Sequence, residues 1–237
     1  QPGKSTEAAL HHLVSKIEKT IEQKEVAIAV FIDIEGAFDN TSHEVIVKAS
    51  SKHGVPIELI KWMHNMLKTR QVTATLFDEN ITVNTIKGCP QGGCLSCLMW
   101  SMVINSLLQA LNQLGGVYAQ GYADDVVILV TGKFVPTILS IMQSALKITE
   151  KWCRENGLTI NPLKTTAIPF TKRRVQTELQ PLTLFGKGIN FAENVKYLGV
   201  FLDSKLTWNA HIDNLTDKAT KSFWACRRMV GKNWGLN

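Results

Sequence analysis

Continuous apolar runs mark the interior strands of this chain. Residues 26–32 (Val-Ala-Ile-Ala-Val-Phe-Ile) are apolar without interruption and end at Asp33. Such a run predicts a strand that is buried on both faces. Residues 117–123 and 126–130 form two more apolar runs, and Asp124-Asp125 separates them. The pattern there predicts a strand, an acidic turn and a second strand.

Apolar residues recur at helical spacing elsewhere. One stripe runs from Leu10 to Ile21 behind a capping Ser5 or Thr6, and another fills residues 136–156. Further helices are predicted for residues 42–54, 56–67, 95–114 and 209–230, a hairpin for residues 72–86, and short strands for residues 166–170, 182–185, 189–191 and 195–202. Together these elements predict an α+β fold in which one sheet has helices on one side.

Composition indicates a globular protein, because 45% of the 237 residues are hydrophobic and can form a core. The net charge of +6 is unevenly spread. Residues 1–132 contain 10 Lys and Arg against 13 Asp and Glu, whereas residues 133–237 contain 16 against 7. A basic second half favours a polyanionic partner, such as nucleic acid.

Cysteine usage and hydropathy suggest where the protein acts. Five cysteines without framework spacing favour a reducing compartment. The N-terminus shows no signal peptide, and the apolar stretch from Cys94 to Leu111 is interpreted as a buried helix rather than a transmembrane span. We therefore expect an intracellular protein, in the nucleus or cytoplasm, without a membrane partner.

Acidic residues at the ends of buried strands are the main chemical signal. An ionised carboxylate near a core is costly unless it is paired or bound to a cation. Asp33, Asp124 and Asp125 would repel one another if they met, and a divalent metal would relieve that repulsion. Magnesium prefers such oxygen ligands, and two ions can support phosphoryl transfer. The alternative is that Asp124-Asp125 is only a hairpin turn.

Three motifs resemble those of reverse transcriptases, in the same order and at fitting spacing. They are Phe31–Asp39 (Phe-Ile-Asp-Ile-Glu-Gly-Ala-Phe-Asp), Gly88–Ser96 (Gly-Cys-Pro-Gln-Gly-Gly-Cys-Leu-Ser) and Tyr122–Asp125 (Tyr-Ala-Asp-Asp). The best resemblance is to non-LTR (LINE-type) retrotransposon enzymes, and it extends over nearly the whole chain. It implies a polymerase palm, with an antiparallel sheet backed by helices, at residues 25–205. Residues 1–24 would end the fingers, and residues 206–237 would begin the thumb.

The resemblance also implies an activity. An RNA-directed DNA polymerase transfers nucleotides from dNTPs to a primer 3′-hydroxyl under the direction of an RNA template, here in retrotransposition. Two Mg²⁺ ions, for which Mn²⁺ can substitute, would be the cofactors. The implied partners are the RNA template, a DNA primer, dNTP and further domains of a parent polyprotein.

The metal-binding positions follow from the same resemblance. Asp33 and Asp124 match the two principal metal ligands, and Asp125 matches the third acidic residue. The backbone carbonyl of Ile34 would complete the site. Lys164 would approach the triphosphate and could act as a general acid toward pyrophosphate. A solvated surface lysine is the alternative at that position.

Other positions match substrate contacts. Phe38 matches the aromatic gate that excludes a 2′-hydroxyl, although an ordinary core aromatic is the alternative. Gln91 and Gly92 match residues that contact the incoming nucleotide and the template, although the loop could simply enter a helix. The primer-grip hairpin is matched by Tyr197, Leu198 and Gly199. The last helix would contact phosphates through Lys218, Lys221, Arg227, Arg228 and Lys232.

Two departures from the family pattern affect the expectations. Cys97 stands where a proline is usual, which predicts a looser helix start or marks a decaying copy. The basic residues of the fingers that grip the triphosphate and most of the thumb are not in this chain. The isolated 237-residue polypeptide is therefore expected to be limited in synthesis or inactive.

Two alternative functions stay open at this point. One is an inactive, nucleic-acid-binding remnant that keeps the palm fold. The other is a metal–sulfur protein, since Cys89, Cys94 and Cys97 have the C-x4-C-x2-C spacing of plant-type ferredoxins, with Cys153 or Cys226 as a remote ligand. The apolar helix that continues after Cys97 argues against the second alternative.

Overall fold

The computed structural model describes residues 5–77, 79–173 and 180–229. Its helices are α1 (Thr6–Glu22), α2 (Ala37–Asn40), α3 (His43–Lys52), α4 (Ile57–Lys68), α5 (Cys94–Asn112), α6 (Val135–Asn156) and α7 (Asn209–Met229). Its strands are β1 (Val26–Asp33), β2 (Gln71–Leu76), β3 (Glu79–Asn84), β4 (Val117–Tyr122), β5 (Asp125–Gly132), β6 (Thr166–Phe170), β7 (Thr183–Leu184), β8 (Lys187–Gly188), β9 (Asn190–Phe191), β10 (Asn194–Tyr197) and β11 (Val200–Asp203). The predicted α+β class is confirmed.

A five-stranded sheet in the order β4-β5-β1-β6-β9 forms the centre of the fold. Strand β1 pairs antiparallel with β5 on one side and with β6 on the other. Because β1 is central, all its residues from Val26 to Ile32 are buried, as the continuous apolar run predicted. The sheet departs from the predicted antiparallel pattern at one edge, where β6 and β9 pair in parallel.

Both faces of this sheet are covered, whereas the sequence predicted helices on one side. Side chains alternate across β1, so Ile28, Val30 and Ile32 pack toward α5 and α6. Ala27, Ala29 and Phe31 point to the other face, where they pack with α1 and the β10–β11 hairpin. The second face is therefore apolar too, and the buried stripe of α1 closes it with Leu13, Ile17 and Ile21.

Helix α5 runs through the core. Within the described residues it is the one helix long and apolar enough to cross a membrane. Its buried residues pack in the interior of the fold, which accounts for the apolar composition: they are Ser96, Met99, Trp100, Met102, Val103, Ile104, Leu107 and Leu111. The helix begins at Cys94 after an N-cap at Gly93, so Cys97 lies in its first turn.

Asp203 organises the connection from β11 to α7. Its carboxylate accepts hydrogen bonds from the backbone N–H groups of Lys205, Thr207 and Trp208, at 3.1, 3.0 and 2.9 Å. The Thr207 hydroxyl donates a fourth bond at 3.1 Å. Burial raises the pKa of Asp203, but these donors outweigh it and lower the pKa overall. The ionised carboxylate is thus the form that stabilises the junction.

Candidate active site

Three carboxylates meet at one edge of the sheet. Asp33 at the end of β1 and Asp125 at the start of β5 are register partners on adjacent antiparallel strands. Tyr122 pairs with Asp125, so Ala123 and Asp124 form a two-residue turn between β4 and β5. The structure therefore brings Asp33 next to the Asp124-Asp125 pair, which lies far from it in the chain.

The electrostatics of this edge favour a cation. Partial burial of the carboxyl raises the pKa of Asp125, and the neighbouring Asp124 and Asp33 raise it further. The ammonium group of Lys164 lies 3.4 Å from Asp33 Oδ2, with both side chains partly exposed. Among the described residues, no three His, Cys, Asp or Glu side chains form a ready-made metal cage. The open set of hard oxygen donors fits Mg²⁺, which keeps positions for substrate phosphates and water.

A β-bridge outside the main sheet sets the position of Lys164. Ile34 pairs with Ile160, and the Glu35 N–H donates to the Thr159 carbonyl at 2.9 Å. The chain then turns, and the Lys164 ammonium reaches Asp33. Ile34 as a whole residue is 1% exposed and its side chain packs in the core, and the metal-binding role of its carbonyl stays a prediction.

A cavity of about 380 Å³ opens beside the aspartates. Asp33 and Asp125 line it together with Lys164. On the opposite side it is lined by Lys196 and Tyr197 of β10, so the predicted primer-grip hairpin adjoins the acidic edge.

The glycine-rich loop packs directly against the segment that carries Phe38. The Cys89 N–H donates to the Phe38 carbonyl at 2.7 Å, and the Gly88 N–H donates to the Thr41 carbonyl at 2.7 Å. Gly88 has φ +83°, and a Cβ there would lie 2.6 Å from the Asp39 carbonyl oxygen. Only glycine permits this approach.

Gln91 and Gly92 stand on the exposed side of this loop. The Gln91 amide donates to Asp39 Oδ2 at 2.8 Å. Gly92 has φ +80°, and a Cβ there would meet no heavy atom within 4 Å. Its requirement for glycine in the free protein is therefore conformational, and the space beside it is open to a substrate.

Phe38 is half-buried and packs against Trp100, with ring centroids 6.1 Å apart. The Trp100 indole N–H donates to the carbonyl of Ala123, in the turn that carries Asp124, at 2.6 Å. Phe38, Trp100 and Ala123 line one cavity of about 870 Å³. Trp100 was not predicted as a site residue, because in the sequence it is one more apolar residue of α5.

The β10–β11 hairpin places its three predicted contact residues differently. Tyr197 pairs with Val200, so Leu198 and Gly199 form the turn, with φ +46° and +85°. The Tyr197 ring is buried against Phe31, with centroids 5.1 Å apart, and its hydroxyl accepts from the Gln120 amide at 3.2 Å. Burial raises the pKa of Tyr197 to about 12. The Tyr197 side chain thus supports the hairpin from inside and borders the cavity beside Asp33 and Asp125, and its contact with a primer stays a prediction.

The remaining predicted residues fall into two groups. Cys89 and Cys153 are buried, whereas Cys94, Cys97 and Cys226 are exposed. No metal-binding group of cysteines occurs in the described part of the chain, so the structure does not assemble the ferredoxin-like site.

On α7, Lys218, Lys221 and Arg227 are exposed. The side chain of Arg228 and all of Lys232 lie outside the described residues.

Comparisons with known proteins agree with this geometry. The family described as "Reverse transcriptase (RNA-dependent DNA polymerase)" matches residues 1–202. The chain is 27% identical to a Pol polyprotein from the type-1 retrotransposable element R1 of Bradysia coprophila, over 99% of this chain and 23% of the relative. It is 26% identical to a probable RNA-directed DNA polymerase from transposon BS of Drosophila melanogaster, over 99% of this chain and 26% of the relative.

The chain thus spans about a quarter of the length of these curated relatives. Among solved structures, it is similar to an apo telomerase from Candida tropicalis truncated from its C-terminal domain, with a TM-score of 0.59 and 12% identity. That likeness covers 85% of this chain and 39% of the other, and it shows a shared fold. The chain belongs to the reverse transcriptase family, and its named relatives are polymerases of non-LTR retrotransposons.

Proposed function

We propose that this chain is the catalytic palm of an RNA-directed DNA polymerase that serves retrotransposition. The carrying observation is the register of Asp33 opposite Asp125, with Asp124 in the adjoining turn. In a family of nucleotidyl transferases, this edge is where the reaction takes place. The oxygen of a primer 3′-hydroxyl forms a bond to the α-phosphorus of a dNTP, and the bond from that phosphorus to the leaving pyrophosphate breaks.

Asp33 and Asp124 would hold two Mg²⁺ ions, with Asp125 and the backbone carbonyl of Ile34 beside them. Bound ions of this kind activate the attacking hydroxyl and stabilise the leaving group. Burial and crowding support this assignment, because partial burial and then the neighbouring carboxylates raise the pKa of Asp125. A divalent cation relieves the repulsion among these carboxylates. Mn²⁺ can take the place of Mg²⁺, since it accepts the same oxygen donors.

Lys164 has two roles in this proposal. In the free protein its ammonium group neutralises Asp33 at 3.4 Å. With Asp33 holding a cation, the Lys164 ammonium group would be free to face the triphosphate. There it neutralises the pyrophosphate and can donate a proton to it.

The other residues orient the substrates. Phe38 would lie against the sugar and exclude a 2′-hydroxyl by steric clash. Gln91 and Gly92 would face the incoming nucleotide and the RNA template from the open side of the loop. The hairpin of Tyr197, Leu198 and Gly199 would support the end of the DNA primer, with Leu198 and Gly199 in its turn.

The test is primer extension on an RNA template annealed to a DNA primer, with Mg²⁺ and dNTPs. The 237-residue chain is assayed beside a version extended at both ends into the parent protein. Asp33→Asn should abolish extension, because it removes a metal-binding charge while preserving side-chain shape. Glu58→Gln is the matched control, since it removes an exposed carboxylate on α4, away from the site.

The outcomes separate the proposed function from its alternative. Extension that is lost in Asp33→Asn and kept in Glu58→Gln supports the polymerase. Unchanged extension in Asp33→Asn overturns the assignment of the site. Failure of both wild-type versions to extend, with native circular dichroism and retained RNA binding, favours the inactive remnant.

A further inference from the structure

Trp100 connects two parts of the candidate active site through one side chain. It is 2% exposed, in the second turn of α5. A buried indole N–H is costly to leave without an acceptor, and here the acceptor is the backbone carbonyl of Ala123 at 2.6 Å. Helix α5 is thereby attached to the β4–β5 turn.

That turn has a positive φ at its first residue. Ala123 has φ +51°, as the first residue of a two-residue hairpin turn commonly does. Ala123 and Asp124 are both exposed, and the hydrogen bond from Trp100 reaches the turn from its interior side. This bond attaches the turn of Asp124 to the core.

The same indole also contacts the predicted sugar gate. The rings of Phe38 and Trp100 are 6.1 Å apart at an interplanar angle of 45°, which is a favourable geometry for an aromatic pair. Both rings line the cavity of about 870 Å³ that reaches Ala123. A displacement of Trp100 would therefore move the Phe38 ring and the Asp124 turn together.

We propose that Trp100 is a positioning residue that sets the metal-binding aspartate and the sugar gate in one fixed arrangement. Its N–H donor holds the turn of Asp124, and its ring holds Phe38. The effect on sugar discrimination rests on the proposed polymerase function. The effect on metal affinity does not, because it can be measured without any nucleotide transfer.

The chain offers a matched control in Trp152. This tryptophan is 7% exposed, and its indole N–H donates to the Ser106 hydroxyl at 2.8 Å, between α6 and α5. Trp152→Phe and Trp100→Phe remove the same kind of buried donor, but only Trp100→Phe touches the catalytic turn. A third variant carries benzothienylalanine at position 100, an isostere of tryptophan in which sulfur replaces the N–H group.

The first readout is Mn²⁺ affinity of the 237-residue chain, measured by isothermal titration calorimetry. Residues that orient a metal ligand typically change affinity by about 10-fold or more when altered. We expect that loss in Trp100→Phe and in the benzothienylalanine variant, and wild-type affinity in Trp152→Phe. Equal affinities in all four proteins overturn the proposal, as does a wild-type chain that binds no Mn²⁺.

The second readout is primer extension by the version extended at both ends. Trp100→Phe should lower kcat and narrow the preference for dNTP over rNTP, whereas Trp152→Phe should change neither. A loss of kcat with unchanged sugar preference overturns the link to Phe38. A wild type that binds Mn²⁺ tightly but never extends a primer refutes the polymerase function, while the metal-affinity comparison still decides the role of Trp100.

Discussion

Two hairpins of the same length differ sharply in their surroundings. β4–β5 and β2–β3 each pair six residues with six, and each continues from its first strand into a residue with positive φ, Ala123 (+51°) and Phe77 (+48°). In β5, residues 126–130 are buried between β4 and β1. In β2 and β3 every residue is exposed.

The difference shows what local pattern alone provides. Antiparallel pairing with a tight turn is enough to form a hairpin, and both segments satisfy it. A fixed position also requires burial and contacts from other elements, such as the Trp100 hydrogen bond to Ala123. Two of the candidate catalytic residues, Asp124 and Asp125, lie on the inner hairpin (β4–β5). The outer hairpin (β2–β3) serves below as its matched reference.

The largest expected effect is on stability. Ile128 in β5 is fully buried, whereas Ile81 in β3 is 55% exposed. Ile128→Ala should lower the free energy of unfolding by about 2–5 kcal/mol, since it leaves a cavity in the core. Ile81→Ala should change it by less than about 0.5 kcal/mol. Urea denaturation followed by circular dichroism measures both, and equal losses would show that the outer hairpin is packed as firmly as the inner one.

The next effect is on substrate choice. Phe38→Ala should increase the use of rNTP relative to dNTP by about 10-fold or more, because removal of a steric clash in a pocket typically changes selectivity by that order. Single-nucleotide extension with each substrate, by the version extended at both ends, gives the ratio. Phe77→Ala is the control, since this aromatic of the outer hairpin is 93% exposed. An unchanged ratio in Phe38→Ala would make Phe38 only a packing residue.

The smallest expected effect concerns charge. The folded pKa of Asp125 is raised, mainly by partial burial and then by Asp124 and Asp33, so its ionised form disfavours the metal-free folded state. Protonated Asp125 therefore adds to the free energy of unfolding. This stabilisation is fully present below the pKa of Asp125 in the unfolded chain, near 3.8, and is lost as pH rises through its pKa in the folded protein. Asp125→Asn should therefore raise the melting temperature of metal-free protein slightly at pH 7 and leave it unchanged below pH 3.8.

The control for this charge is Glu79→Gln. Glu79 pairs with Leu76 directly after the turn of the outer hairpin, as Asp125 pairs with Tyr122 in the inner one. Glu79→Gln should change the melting temperature little, because Glu79 lies on a fully exposed strand. Thermal melts from pH 3 to pH 8 with a chelator present make the comparison. A lower melting temperature for Asp125→Asn at pH 7 would contradict the direction of its pKa shift.

Much of this fold could be predicted because burial leaves a direct trace in sequence. The continuous run of β1, the helical stripe of α1 and the acidic turn after β4 all lie where the pattern placed them. The meeting of Asp33 with Asp124 and Asp125 was also predicted, from strand ends and motif order. What the pattern could not supply was register, because the pairing of Asp33 with Asp125 depends on two distant segments.

Other features were missed for physical reasons. Helix α1 covers the second face of the sheet, yet its stripe is the same whichever face it meets. The donor role of Trp100 depends on a carbonyl 23 residues away. The burial of the Tyr197 side chain could have been predicted, because Val195 and Tyr197 alternate with exposed Lys196 and so share the inner face of β10.

Under the proposed function in retrotransposition, the approach of Gly88 to Asp39 has a consequence for the copies of such an element. Any other residue at position 88 would place a Cβ about 2.6 Å from a backbone oxygen and would push apart the loop of Gln91 and the segment of Phe38. A single codon change there would silence a copy that still encodes every catalytic aspartate. A genomic census that scores only the acidic motifs would then count dead copies as live, and position 88 gives it a second criterion.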